Sequence, residues 1–267
     1  MSRQSNTDNV SRLNKPRKGI YILPNLFTTA GLFAGFFAIV QATVGNFDYA
    51  AVAIFVAMVM DTLDGRVARI TSTASDFGKE YDSLADVIAF GVAPALVIYE
   101  WGLNAVGRPG WLIAFIFVAA AALRLARFNV QPTRDSRYFQ GLPCPMAAAV
   151  VAAGIWVADT QAIQGGSAIA VGMVATLMLA LAMVSTLPYR SFKDLNVRGR
   201  VPFAALLLVV FVFVLISFDP PWVMFFITST YFLSGPLLWL FPRVRNREQR
   251  RRDLDEESQN ERRSRRA

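Results

Sequence analysis

Long apolar blocks, joined by short polar links, recur from residue 22 to residue 241. Each is near the length of about 20 residues that a membrane-crossing helix needs. They predict eight helices, over 22–44, 48–70, 78–100, 110–130, 143–160, 167–187, 201–218 and 221–241. The expected fold is therefore an all-α integral membrane protein of about eight transmembrane helices. Residues 1–20 form a polar N-terminal segment, 21–241 the transmembrane domain and 242–267 a basic tail, expected as disorder or a surface helix. With 54% hydrophobic and 17% charged residues, the chain is too apolar for an ordinary soluble domain. No small-residue cleavage site follows a short apolar core at the start, so a removed signal peptide is not expected. The Ala- and Gly-rich fifth and sixth blocks (AAAVVAAG, GMVATLMLALA) favour close helix contact.

The positions of the basic residues orient these helices. The net charge is +8, but Lys and Arg flank the apolar blocks. That placement reads as membrane topology and attraction to anionic lipid heads, not as nucleic-acid binding. An even number of spans puts both ends on one side. Arg3, Arg12, Lys15, Arg17 and Lys18, the links holding Arg66, Arg69, Lys79, Arg124, Arg127, Arg134, Arg137, Arg190, Lys193, Arg198 and Arg200, and the tail all fall on that side. Only Arg108 falls on the other. The positive-inside rule then makes both ends cytosolic.

Residue types absent from the chain narrow its chemistry. Histidine does not occur, which excludes Ser-His-Asp and Cys-His catalysis and histidine-held zinc or haem. The single cysteine, Cys144, permits no intrachain disulfide and reads as a buried thiol. Carboxylates remain as the obvious bases.

Those carboxylates concentrate in 61–86, DTLDGRVARITSTASDFGKEYDSLAD. Asp61 and Asp64 are three apart and Asp82 and Asp86 four apart, so each pair lies on one helix face. Four acids in apolar helices are strongly unfavourable unless cations neutralise them, and all-oxygen ligands favour Mg²⁺, Mn²⁺ or Ca²⁺ over zinc. Helix-cap acids at a water interface are the plainer alternative. Gly65 and Ala68 put bare backbone on the Asp61 face, Arg69 offers a planar fork to phosphate, and Gly78 opens the second helix in the same way. Cations, room and an arginine together describe a diphosphate site. Asp61 lies roughly 18 Å along its helix from Tyr49, at headgroup depth on the cytosolic side.

The full spacing, D-x2-D-G-x2-A-R-x8-G-x3-D-x3-D, resembles the signature of the CDP-alcohol phosphotransferases, membrane enzymes of phospholipid synthesis. Pro24, Asn25 and Thr28 at the start of the first helix make a P-N-x-x-T element similar to that family's first helix, although Asn25 also reads as a helix cap. The resemblance implies a six-helix core carrying the site, Asp61, Asp64 and Asp82 as metal ligands, and Asp86 as both ligand and general base. It also implies two divalent ions per site (Mg²⁺ or Mn²⁺) and contacts to the CDP-lipid from Asn25, Thr28, Gly65, Ala68, Arg69 and Gly78. A homodimer in the bacterial plasma membrane, with the active site cytosolic, is expected on the same ground.

Two further runs bear on the acceptor alcohol. A-R-F-N at 126–129 and F-x-G-L-P-x-P at 139–145 resemble the membrane-spanning serine O-phosphatidyltransferase branch, which implies CDP-diacylglycerol and L-serine as substrates and phosphatidylserine and CMP as products. Arg124, Arg127 and Asn129 are the candidate acceptor contacts, since a carboxylate calls for an arginine partner. An acceptor phosphate, as in glycerol 3-phosphate or inositol phosphate, would use the same cations, and positive-inside anchoring is the plainer role. Outside this family, an intramembrane cation transporter or an aspartate-rich prenyltransferase are the alternatives. A transporter would hold its acids nearer the midplane, and a prenyltransferase has no use for the D-G-x2-A-R element.

Overall fold

The computed structural model describes residues 22–71, 75–130, 138–190 and 203–240. The N-terminal segment, the basic tail, Arg134, Arg137, Lys193, Arg198 and Arg200 lie outside the described residues. The helices are α1 (Ile22–Thr43), α2 (Phe47–Ile70), α3 (Asp76–Asp86), α4 (Ala93–Trp101), α5 (Arg108–Val130), α6 (Cys144–Thr160), α7 (Gly166–Val184), α8 (Phe203–Phe218) and α9 (Pro220–Leu240). A wide π-helical turn, Val87–Val92, joins α3 to α4, so the third apolar block is one rod with a changed pitch. Its cause is local. Pro94 has no N–H to offer the carbonyl four residues back, and the backbone N–H of Ala93 bonds Ile88 O, five residues back.

The sides of the molecule are apolar and its interior is packed with small residues, the reverse of a soluble domain. Phe33, Phe36, Phe37, Phe211, Phe213 and Phe218 are exposed, while Ala38, Ala50, Ala57, Ala93, Ala148 and Ala152 are fully enclosed. Among the described residues, four helical segments are long and apolar enough to cross a membrane: Leu23–Thr43, Asp76–Trp101, Arg108–Val130 and Gly166–Val184. Among the others, α2 carries Asp61, Asp64, Arg66 and Arg69 in its final turns, and α6 has only 17 residues.

Small residues let α1 sit between α2 and the π turn. A Cβ on Gly31 would rest in ordinary contact with Met60 and Ala57 of α2, whereas a Cβ on Gly35 would lie 2.7 Å from Ala89 Cα. Backbone therefore meets backbone at Gly35, and α1 is pressed against the third apolar rod. Helix α6, with Ala147, Ala148, Ala152 and Ala153 buried, packs chiefly on α2 and α9, and α5 lies along α7.

Among the described residues, the fold departs from the all-α expectation where the α5–α6 and α7–α8 links meet. Two short strands, β1 (Tyr138–Gln140) and β2 (Pro188–Arg190), pair antiparallel, with Phe139 opposite Tyr189. They tie the α5–α6 link to the α7–α8 link. Tyr189 is wholly buried, donates its hydroxyl to Phe232 O at 3.3 Å and packs on Tyr231 at 5.7 Å. Burial pushes its phenol up to about 12, so it stays a neutral donor. On the other strand's side, Gly141 has φ +77, and a Cβ there would lie 2.4 Å from Met183 O, which reserves the position for glycine. Backbone N–H groups of Gly141 and Leu142 donate to Leu187 O and Ala182 O. This clasp closes one end of the bundle.

Candidate active site

The acids are delivered by the last turns of α2 and by α3. Helix α3 starts where Ser75 caps it, its hydroxyl accepting from the backbone N–H of Gly78 at 3.0 Å, with Asp76 in the first turn to suit the helix dipole. That start fixes the phase of α3, and Asp82 and Asp86 follow on one face.

The two helices converge on a cleft lined by Thr28, Gly31, Asp61, Asp64, Asp82 and Asp86, together with the apolar Ala57, Ala85, Ala89 and Phe90. Carboxylate oxygens of Asp61, Asp64 and Asp82 lie within 4.8 Å of one another. Asp86 lines the same cleft one turn further along α3, outside that triad. Three carboxylates at this spacing, with Asp64 only 5% exposed, suit a hard divalent cation: the donors are all oxygen, and without a counter-charge they repel. The residues present thus fit the metal that the spacing of the motif implies.

Thr28, expected as a contact to the CDP-lipid, lines the cleft and also bonds within it. It is buried, and its hydroxyl lies 2.9 Å from Asp64 Oδ2, to which it donates, and 3.2 Å from Pro24 O. Thr28 therefore orients a carboxylate of the triad, as an outer partner of a metal ligand does. The T of the P-N-x-x-T element was visible in the sequence, but its partner, 36 residues away, was not.

The remaining expected contacts are not among the residues lining the cleft; they lie on neighbouring turns of α1, α2 and α3. Gly65 is exposed with nothing within 4 Å of a Cβ built on it, so the α2 face beside Asp61 is open, and half-buried Ala68 continues it. Arg69 is exposed and folds back along its helix, its Nε donating to Gly65 O at 2.8 Å. Its terminal NH₂ groups extend beyond that bond. Gly78 serves packing: a Cβ there would come within 3.1 Å of Ser75 Oγ and 3.3 Å of Asn25 Oδ1. Asn25, half-buried in the first turn of α1, thus lies directly against the start of α3. Beside it, Thr29 and Tyr81 share a hydrogen bond of 2.9 Å between their hydroxyls.

The acceptor candidates line the last turns of α5. Arg127 donates to Gln140 Oε1 at 2.8 Å, and Arg124 reaches Gly141 O at 3.4 Å through one NH₂. The Nε of Arg124 is buried and has no hydrogen-bond partner among the described residues. An unmet buried donor costs on the order of 1–3 kcal/mol, more when charged, which makes it a natural point for an anion. Asn129 donates to Ser83 Oγ at 2.9 Å, joining the end of α5 to the turn between Asp82 and Asp86. Cys144 is buried against Ala121 O, as expected for an inert thiol, and lies within electrostatic reach of both Arg124 and Asp86.

Comparison with known proteins agrees with this geometry. The sequence profile of the CDP-alcohol phosphatidyltransferases matches residues 21–188, from α1 through the start of β2. A CDP-diacylglycerol–serine O-phosphatidyltransferase of Helicobacter pylori is 36% identical over 231 residues, covering 86% of this chain and 96% of that protein. The enzyme of that name from Mycobacterium tuberculosis is 39% identical over 146 residues, 51% of each chain. An archaetidylserine synthase of Methanothermobacter thermautotrophicus is 38% identical over 131 residues, 48% of this chain and 55% of that one. The aspartate cleft, the matching profile and the near full-length likeness agree: this chain belongs to the CDP-alcohol phosphatidyltransferase family of enzymes.

Proposed function

We propose that this enzyme transfers the phosphatidyl group of CDP-diacylglycerol to L-serine, giving phosphatidylserine and CMP. The observation that carries the reading is the convergence of the Asp61, Asp64 and Asp82 carboxylates beside Asp86 in one cleft, in a chain similar over most of its length to serine phosphatidyltransferases. Asp61, Asp64 and Asp82 would hold divalent metal, two ions of Mg²⁺ or Mn²⁺ with Asp86 completing the set. Bound there, the metal supplies charge neutralisation for the diphosphate and for the leaving phosphate.

The chain's own groups do the rest. The open α2 face at Gly65 and Ala68 admits the CDP moiety, with Asn25 and Arg69 flanking it and Thr28 holding Asp64 in register. Asp86 takes the proton from the serine hydroxyl as that oxygen attacks the phosphorus bearing diacylglycerol, and CMP departs with the electrons of the broken P–O bond. Arg124 and Arg127 receive the serine carboxylate, with the unpartnered Arg124 Nε as the first contact. Asn129, tied to Ser83, supports the α3 turn that carries Asp86. Positioning and electrostatics carry most of such a displacement.

The enzyme sits in the bacterial plasma membrane with eight spans, both ends and the cleft facing the cytosol, and it assembles as a homodimer. The asymmetry of Lys and Arg supports the orientation, and the exposed apolar sides support the membrane setting. The test is CMP release by purified protein with CDP-diacylglycerol and Mg²⁺ or Mn²⁺, comparing serine, glycerol 3-phosphate, inositol phosphate and no acceptor. Release that depends on serine is the expected result. Release with another alcohol alone would keep the aspartate site and remove serine. Absence of release with all of them would return the transporter and prenyltransferase readings.

A further inference from the structure

The clasp of paired strands lies far from the acids in sequence, yet it touches both candidate acceptor arginines. The side chain of Gln140, the last residue of β1, accepts from Arg127, and the next carbonyl, Gly141 O, accepts from Arg124. The carbonyl of Gly141 is set by the left-handed backbone there and by the bond from its N–H to Leu187 O. Strand β2 is in turn anchored on α9, because the ring of Tyr189 occupies the space over Gly235, 2.3 Å from where a Cβ would stand. Two long, flexible cations are thus held by groups that the strand pairing helps to place. Among the described residues, the Nε of Arg124 has no hydrogen-bond partner.

We infer that the β1–β2 clasp is the acceptor-selecting element of the enzyme, with Gln140 as a positioning residue that aims Arg127, beside Arg124, at an acceptor alcohol bearing an anionic group. The inference rests on the proposed phosphatidyl transfer but not on the acceptor being serine. A guanidinium on a flexible chain binds a carboxylate or phosphate well only when its fork is already oriented, since otherwise binding must also order it. Gln140 supplies that order from outside the cleft. Its side chain is exposed, so changing it leaves the packing of the bundle intact.

Steady-state CMP release by wild type, Gln140→Leu and Gln140→Glu decides the matter, with KM measured separately for the acceptor and for CDP-diacylglycerol. The leucine variant removes the oxygen that Arg127 uses, and the glutamate variant keeps one. The expected result is a serine KM raised about tenfold in Gln140→Leu, a lipid KM within about twofold of wild type, and recovery in Gln140→Glu. An unchanged serine KM in Gln140→Leu would overturn the inference, as would an equal rise in both KM values or a glutamate variant as impaired as the leucine one. If wild type uses a different anionic alcohol and the KM for that alcohol follows Gln140, the serine reading fails and the clasp stands.

Discussion

Asp64 is the most enclosed of the four acids, and one of its oxygens is already engaged by Thr28. Thr28→Val removes the donor with little change in volume and is expected to weaken Mn²⁺ binding by roughly ten- to a hundredfold, while Thr28→Ser retains it. Titration of the purified protein with Mn²⁺, followed by electron paramagnetic resonance, reads this without substrate. Equal binding by both variants and wild type would remove Thr28 from the metal site. For Asp86, the expected effect of Asp86→Asn is a loss of turnover of about a hundredfold or more with CDP-diacylglycerol still bound, because the amide cannot take the proton. Wild-type rates in that variant would exclude Asp86 from the chemistry. The four acids were legible in the sequence because three- and four-residue spacing fixes a helix face locally. The bond from Thr28 to Asp64 was not, because it depends on the packing of α1 on α2.

Secondary structure divides along the same line between local and distant causes. Helix boundaries followed from the apolar blocks: the first was expected at 22–44 and runs Ile22–Thr43, and the fourth was expected at 110–130 and runs Arg108–Val130. The π turn was not foreseen, although its agent, Pro94, stands in plain view, because a proline inside an apolar block marks a disturbance without giving its form. Nor were the strands. Each has three residues, too few for an alternating pattern, and each finds its partner across two intervening helices. The contact of α1 with the π turn offers an element-level test. Any side chain at Gly35 must move backbone at Ala89, so Gly35→Val is expected to lower stability by about 1–3 kcal/mol. A melting curve in detergent checks it. Gly65→Ala, at a site with no neighbour within 4 Å, is expected to melt as wild type does while impairing use of CDP-diacylglycerol.

The described part of the molecule is a bundle of apolar helices that gathers the four aspartates of the cleft at the end where the strand clasp lies. Its orientation in the membrane can be tested with the one native thiol removed. In a Cys144→Ala background, Ser5→Cys and Ser258→Cys are expected to react with an impermeant maleimide only from the cytosolic side, and Asn104→Cys only from the opposite side. Labelling of positions 5 and 258 from different sides would contradict the even number of spans. The membrane setting was readable from the sequence because lipid demands long apolar blocks; the acceptor was not readable from physics alone, since carboxylate and phosphate call for the same arginines. The most direct test of the central claim is incorporation of labelled serine into lipid-extractable product by purified wild type and Asp82→Asn, each with CDP-diacylglycerol, with Mn²⁺ and then with excess chelator. Labelled lipid from wild type with Mn²⁺ alone, falling to background with chelator or in Asp82→Asn, is the predicted result. Labelled lipid made equally well with chelator, or by Asp82→Asn, would show that the aspartate cleft is not where transfer occurs.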